Sequence, residues 1–252
     1  MGNACCLTRD KTDLHVELRP ISPPGLCLFG KQHMNNSGRP LSFVMKEQAL
    51  SCTGDDFKIK EAHTENTVYN IEGRGCACGQ PKVLSTLEGK GIFVMKHDLC
   101  PPCKQTQRVY STTTKDIEVI PGTETMAIQK QCAYCSGCQG LLQCVTMDSN
   151  GREVKLMLFS DCCSFNAVLF WGDPKEGSVP VATVSRKYGA KDFLLDKQNY
   201  VVSVAPGMDI AIAIAMALAF DEVYNDKQSP QAGPKLLCTC IATCICSFVS
   251  SS

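Results

Sequence analysis

The sequence predicts an all-β domain wrapped around one buried helix, on three observations. Short β-branched runs recur between turn-forming residues through the middle of the chain. One 11-residue apolar run, Ile210–Phe220 between Asp209 and Asp221, breaks that rhythm. The 252 residues, 44% of them hydrophobic, can bury a sizeable core, which excludes wholesale disorder.

From the N-terminus, residues 1–40 read as a disordered linker. Arg19-Pro20-Ile21-Ser22-Pro23-Pro24-Gly25 is Pro-rich, and Asn35-Asn36-Ser37-Gly38 is turn-prone. Pro20-x-x-Pro23 is also a candidate ligand for a protein partner that reads polyproline helices. The domain is expected over 41–227. Phe57, Ile59 and Glu61 alternate with Lys58 and Lys60, and Val68–Ile71 follows a polar turn at His63–Asn66. Val83-Leu84 and Ile92–Met95 flank Glu88–Gly91, and Leu141–Val145 and Val154–Phe159 flank Asp148–Gly151. Val168–Trp171, Val181–Val184 and Tyr200–Val204 complete a set that suits a sandwich or a barrel. Ser229–Pro234 is a second break, so residues 228–252 read as a Pro/Gly linker and a Cys-rich tail.

The apolar run follows Pro206-Gly207-Met208-Asp209. Its large residues alternate strictly, which by period alone says strand. Its five alanines say helix, because Ala is the best helix former and poor in sheets. Asp209 is placed to act as N-cap, and 11 residues is long for a strand, so helix is the reading. A helix apolar on every side must be buried on every side. In an all-β chain, the inside of a barrel offers that. The run spans roughly 16 Å as a helix, too short for a ~30 Å hydrocarbon core.

Lys plus Arg number 25 and Asp plus Glu 25, so the chain is neutral and lacks the positive excess that nucleic-acid binding uses. Aromatic residues are only 7%, which also argues against base stacking. The four histidines, His15, His33, His63 and His97, belong to no catalytic motif, and Gly73-Arg74-Gly75 is followed by no helix signal. A non-catalytic role is therefore expected. Arg152, Arg186, Lys187 and Lys191 are candidates to face an anionic headgroup; the plainer alternative is a solvated barrel face.

The start, Met1-Gly2-Asn3-Ala4-Cys5-Cys6, lacks the basic and apolar regions of a secretory signal. The expected compartment is the reducing cytosol, where disulfides are rare. Gly2 is what N-myristoylation needs, although position 6 is Cys where the pattern has Ser or Thr. One myristoyl chain binds only marginally. Residues 1–40 carry five basic and three acidic residues, too small a surplus for a polybasic patch. Palmitate on Cys5 or Cys6 is then the expected second signal. Near the other end, the uncharged stretch Leu236–Val249 holds Cys238, Cys240, Cys244 and Cys246 and is too short and mixed to span. It does not end in C-a-a-X. It is either acylated at the membrane or simply a tail.

A set of motifs now points to a family. Met45-Lys46-Glu47, Gly54-Asp55-Asp56-Phe57-Lys58-Ile59, Val68-Tyr69-Asn70-Ile71-Glu72-Gly73, Ser185-Arg186-Lys187 and Pro206-Gly207-Met208-Asp209 occur in order, and the apolar helix ends in Asp221-Glu222. With these, residues 41–227 resemble the tubby-like superfamily, in particular the LURP-one-related domain and its phospholipid scramblase relatives. The first half looks most like LURP-one-related proteins, and Cys132–Cys138 looks more like a scramblase. The resemblance implies a closed barrel of about twelve antiparallel strands around a central C-terminal helix. It also implies a Ca²⁺-binding stretch before the helix, matched here by Asp196-Lys197-Gln198-Asn199-Tyr200-Val201. Asp196 and Asn199 remain, but Gln198 replaces the second acid and Lys197 adds a positive charge, too little for an ion that takes six to eight oxygens. Calcium-activated scrambling is correspondingly weakened.

Cysteine is the compositional outlier, at 18 residues. Cys100-Pro101-Pro102-Cys103 is C-x-x-C, and Cys132, Cys135 and Cys138 make C-x-x-C-x-x-C, with 28 residues between the two motifs. Four thiolates, Cys100, Cys103, Cys132 and Cys135, would satisfy tetrahedral zinc, with Cys76 and Cys78 as further candidates. The scramblase resemblance implies acylation of Cys132–Cys138 instead, and free thiols are the third alternative. The expected function is a membrane-tethered protein that binds phospholipid headgroups or partners at the cytosolic face of the plasma membrane or another endomembrane. The alternatives are a phospholipid scramblase and a zinc-stabilised interaction protein.

Overall fold

The structure, a computed structural model, describes residues 16–21, 25–48, 56–73, 81–98, 106–115, 124–131, 141–148, 151–160, 166–187 and 199–224. Twelve antiparallel strands close into a barrel. They are β1 (Leu41–Glu47), β2 (Phe57–Glu61), β3 (Thr67–Gly73), β4 (Lys82–Thr86), β5 (Gly91–His97), β6 (Thr106–Ser111), β7 (Glu124–Lys130), β8 (Leu141–Met147), β9 (Glu153–Ser160), β10 (Asn166–Trp171), β11 (Val179–Lys187) and β12 (Asn199–Val204). Each pairs with its sequence neighbours, and β1 closes the ring on β12 from Leu41↔Val204 to Lys46↔Asn199. Inside runs one helix, α1 (Ile210–Tyr224). Because every connection joins neighbouring antiparallel strands, the barrel ends separate by parity. Links from even to odd strands lie at the end where α1 begins. Odd strands finish, and even strands start, at the end where α1 finishes.

Side chains alternate as a half-buried sheet requires: β12 and the second half of β3 bury every second residue. Strands β4 and β5 depart from this and are buried on both faces over most of their length. The segment after β6 folds back over them. The Thr112 N–H donates to the Ile92 carbonyl at 3.1 Å, and Lys115 pairs with Glu72 on β3. A Cβ on Gly91 would lie 1.8 Å from the Thr114 carbonyl oxygen, so only glycine fits beneath this segment.

Within α1, no residue from Ala211 to Phe220 is more than 1% exposed. The alternation that mimicked a strand has a geometric meaning on a helix. At 3.6 residues per turn, alanines at every second position from 211 to 219 fall on two opposite faces, and the bulky residues from 212 to 220 fall on the other two. The helix is therefore narrow across one axis and broad across the other. Its backbone approaches β12 and β7 most closely, and these strands stand almost opposite each other in the ring. Each bulky side chain contributes roughly 1.5–3 kcal/mol by leaving water.

Asp209 caps the helix: its Oδ1 accepts from the Ala211 N–H at 2.9 Å. Its Oδ2 accepts from the N–H groups of Leu28 and Phe29 at 3.0 and 2.9 Å. These contacts correct the expectation that all of residues 1–40 is linker. Leu26 and Phe29 are buried in the core, and Gly207 donates to the Asn35 carbonyl while the Asn35 N–H donates to Met208. Asn35 Nδ2 reaches the Val204 carbonyl at 2.9 Å. A Cβ on Gly25 would lie 1.9 Å from the Gly207 carbonyl oxygen, so this glycine allows a close crossing of two backbones. Residues 25–35 thus close the barrel end where α1 begins. The physical reason is the helix N-terminus, which would otherwise leave a buried carboxylate short of donors.

Two measurements check this core. Ile214→Asp places an unpaired carboxylate in the enclosed helix, costing several kcal/mol of a total that is ~5–15 for such domains. The expected outcome is loss of the cooperative thermal transition, and an unchanged melting temperature contradicts the enclosed helix. The second is a pH dependence. Burial pushes the Asp209 carboxyl up to about 6, against the lowering effect of its N–H donors, from an unfolded value of 3.8. Between those values the folded chain holds a proton that the unfolded chain has lost, so this group's contribution falls as pH rises through the window and is constant above it. Its span is on the order of 2–3 kcal/mol. Buried His33, lowered by burial, works the other way. The test is therefore the difference in urea stability between parent and Asp209→Asn across pH 4 to 6.

Candidate functional site

The other end of α1 carries a polar cluster. Phe220 is followed by Asp221 and Glu222, acids at a helix C-terminus, where the backbone dipole already places partial negative charge. The adjoining strand ends supply the compensation. Lys82 opens β4 and its Nζ donates to Glu222 Oε1 at 2.8 Å. His97 closes β5 and its Nε2 stands 2.8 Å from Glu222 Oε2. Gln107, the cross-strand partner of His97, donates to the same Oε2 at 2.6 Å. Lys82 is buried, whereas the His97 side chain keeps 26% exposure and presents this cluster to solvent. Beside them the Tyr200 hydroxyl donates to Asp221, and the Arg186 guanidinium stands 5.9 Å from the Tyr200 ring centroid.

Burial pushes the Glu222 carboxyl up, but the His97 hydrogen bond and the Lys82 ammonium outweigh it and hold the group below its ordinary value. The arrangement is a clamp: one carboxylate held by donors from three adjacent strands. At the opposite end the buried His33 ring bonds to the Tyr69 hydroxyl at 3.1 Å. Burial and the nearby Asp209 charge push the Tyr69 phenol up to about 12.

The residues singled out in the sequence distribute differently. Gly2, Cys5, Cys6, Cys76, Cys78, Cys100, Cys103, Cys132, Cys135, Cys138, Lys191, Asp196, Cys238, Cys240, Cys244 and Cys246 all lie outside the described residues. Asn199 is the first residue of β12, paired with Lys46 and Lys187. Arg152 and Arg186 do not form one basic patch. Arg152 lies at the end where α1 begins and pairs with Asp148 at 2.7 Å, while Arg186 lies near the end where α1 finishes. Among the described residues no group of three His, Cys, Asp or Glu is arranged to hold a metal ion. In the Pro-rich stretch, the Ile21 N–H donates to the Pro206 carbonyl at 3.0 Å, so this part is fastened to the barrel.

Sequence reasoning missed Lys82, His97, Gln107 and Glu222 as a group. One signal was present: an acid directly after an all-apolar helix is carried into the barrel mouth and needs a cationic partner.

Lys82→Met leaves Glu222 buried without its ammonium partner, an expected loss of ~3–5 kcal/mol in urea denaturation. Lys82→Met with Glu222→Leu should recover much of that loss. The depressed Glu222 carboxyl contributes stability above the unfolded carboxylate value that is lost as pH falls through the folded value. Lys82→Met should move that acid loss to higher pH.

The barrel and its enclosed helix can be set against known proteins. The LURP-one-related family model matches residues 41–221. An X-ray structure of a protein from Arabidopsis thaliana superposes with a TM-score of 0.54 at 14% identity, covering 79% of this chain and 99% of that one. At that identity the likeness speaks to the fold. No curated protein matches. The chain belongs to the LURP-one-related family, within the tubby-like superfamily.

Proposed function

We propose that this protein is a membrane-tethered barrel that binds phospholipid headgroups or a protein partner at the cytosolic face of the plasma membrane or another endomembrane, without catalysing a reaction. The enclosed helix carries the reading. Helix α1 has its apolar surface inside the barrel, and no helix among the described residues is long and apolar enough to cross a membrane. Attachment then falls to segments outside the barrel, where the sequence holds Gly2, Cys5 and Cys6, and Cys238, Cys240, Cys244 and Cys246. Ile21 and Asn35 are fastened at the end where α1 begins. The fifteen residues before Val16 reach at most roughly 50 Å when extended. An acylated N-terminus at that distance or less holds the barrel beside a bilayer.

Scrambling, the alternative, needs a polar path for headgroups across the hydrocarbon core. It is disfavoured by the sequence before β12, where the calcium-type stretch keeps Asp196 but has Gln198 for the second acid.

Fractionation of cells tests the tether. Gly2→Ala should move the protein to the soluble fraction, because without myristate it rarely visits the membrane where palmitoylation occurs. Cys5→Ser with Cys6→Ser should leave weak, exchangeable binding, since one chain gives only marginal affinity. A chain truncated after Pro234 should stay on membranes. If both N-terminal variants pellet like the parent, the N-terminal tether is wrong. Release by truncation alone assigns the anchor to the C-terminal cysteines. In vesicles carrying a fluorescent lipid, binding without loss of leaflet asymmetry is expected, and rapid flip favours the scramblase.

A further inference from the structure

Residues 1–40 hold no polybasic patch, but strand register assembles one on the outer wall of the barrel. Met45, Ile59, Tyr69 and Tyr200 point into the core, so their strand neighbours face out. One row of outward positions crosses five neighbouring strands. Asn70 of β3 pairs with Lys58 of β2, Lys58 with Lys46 of β1, Lys46 with Asn199 of β12, and Asn199 with Lys187 of β11. Lys60, two residues beyond Lys58, pairs with outward-facing Val44 on the same wall. Lys46 and Lys58 are exposed and stand directly opposite each other, an arrangement that destabilises a strand pair. Among the described outward positions of these five strands the one acid is Glu72, which Lys115 engages. Asp56, just before β2, accepts from the Gly73 N–H at 2.7 Å. No ion pair among the described residues takes the ammonium of Lys46, Lys58 or Lys60, whereas Lys82, Arg108, Lys115 and Arg152 are each matched to an acid.

We infer that this wall, with Lys46, Lys58 and Lys60 at its centre, binds the phosphate groups of anionic lipids in a bilayer. The inference rests on the membrane reading above and deepens it, by stating which side of the barrel faces the lipid. One acyl chain holds a protein only marginally, and a second signal is needed. Each lysine near an anionic leaflet strengthens binding roughly fivefold. Three of them together contribute on the order of a hundredfold. The amides of Asn70 and Asn199 flank the lysines with further N–H donors.

Two further observations favour a bilayer over a free anion or an acidic protein segment. Two residues along the strands from Lys46 and Asn199, Val44 and Val201 stand opposite each other, outward and half-buried. Apolar side chains beside a row of ammonium groups suit an interface where hydrocarbon lies beneath phosphate, and lysine stems can lie along such a surface with their heads in the polar layer. A free phosphate makes no use of them. The tether also reaches: the seven residues of β1 rise about 23 Å, less than the roughly 50 Å that the residues before Val16 can span. An acylated N-terminus fastened at one end of the barrel can therefore lie along the wall that the lysines occupy.

The test uses the full chain produced without acyl groups, so vesicles report on the wall while cell fractionation reports on the tether, and the two can fail separately. Binding is measured to vesicles of phosphatidylcholine alone and of phosphatidylcholine with phosphatidylserine. The chain should bind the charged vesicles, and binding should weaken as salt rises. Lys46→Gln with Lys58→Gln should weaken it roughly 25-fold. Lys90→Gln with Lys175→Gln, in links at the end where α1 begins, should leave it unchanged. Lys58→Glu sets an acid opposite Lys46, so it should raise the melting temperature while weakening binding further, a split that a merely structural role would not produce. In the unmutated chain, charged vesicles should protect Lys46, Lys58 and Lys60 from acetylation and leave Lys90 and Lys175 reactive. Equal binding to both kinds of vesicle, or binding that survives the Lys46→Gln, Lys58→Gln change, would overturn the inference. So would displacement by inorganic phosphate beyond that of chloride at equal ionic strength, which assigns the wall to a free anion. Tighter binding to polyglutamate than to the charged vesicles would assign it to an acidic protein instead.

Discussion

The rest of the structure depends on one constraint: α1 has no face that tolerates water. Most helices bury one stripe and leave the other side wet. Here Ile212, Ile214, Met216, Leu218 and Phe220 sit on two opposite faces and alanines on the other two, and all of them are enclosed. Only a closed wall satisfies such an element. The β1–β12 pairing is thus the condition for burying the helix at all. The helix is thus narrow across its alanine faces and broad across the others, and a close-packed lumen has to match that shape. Helix and wall specify each other through shape as well as through hydrophobicity.

An enclosed helix creates a difficulty at each end, because its terminal N–H and C=O groups are carried toward a dry interior. The two ends are solved by different means. At the start, Asp209 gathers the Ala211 N–H and two backbone donors from residues 28 and 29, so a segment from before the barrel completes the helix. At the finish, the strands provide the partners, with Lys82, His97 and Gln107 converging on Glu222. The first solution couples the helix to the chain that leads toward Gly2. The second couples it to the ends of β4, β5 and β6.

The helix and nine of the strands were legible because their runs are apolar and bounded by turns. Three strands were not. In β6, Thr106, Gln107 and Arg108 interrupt any apolar pattern. In β7, Met126 and Ile128 are the buried positions, flanked by Thr125, Gln129 and Lys130. In β1, Met45 and Phe43 face in, but Lys46 and Glu47 make the end look like loop. Residues 25–35 read as linker because a Pro-rich stretch, Arg19–Gly25, and a turn-prone one, Asn35–Gly38, flank them, while their burial comes from a partner some 180 residues away, as in the Phe29–Asp209 contact. The Glu222 clamp was hidden for the same reason. Its members are far apart in sequence, and nothing local to Lys82 or His97 marks a buried charge.

The same geometry explains how the Glu222 clamp assembles. In a barrel made only of neighbouring antiparallel pairs, position at either end is set by strand parity and ladder register, and sequence separation drops out. Lys82 opens an even strand and His97 closes an odd one, so both stand at the end where α1 finishes. The β5–β6 ladder sets Gln107 opposite His97. Glu222 comes 115 residues after Gln107, yet the helix running back through the lumen delivers it to the same end. The three donors and their carboxylate are therefore a property of the folded wall and its enclosed helix, which no reading of the residues beside each one can express.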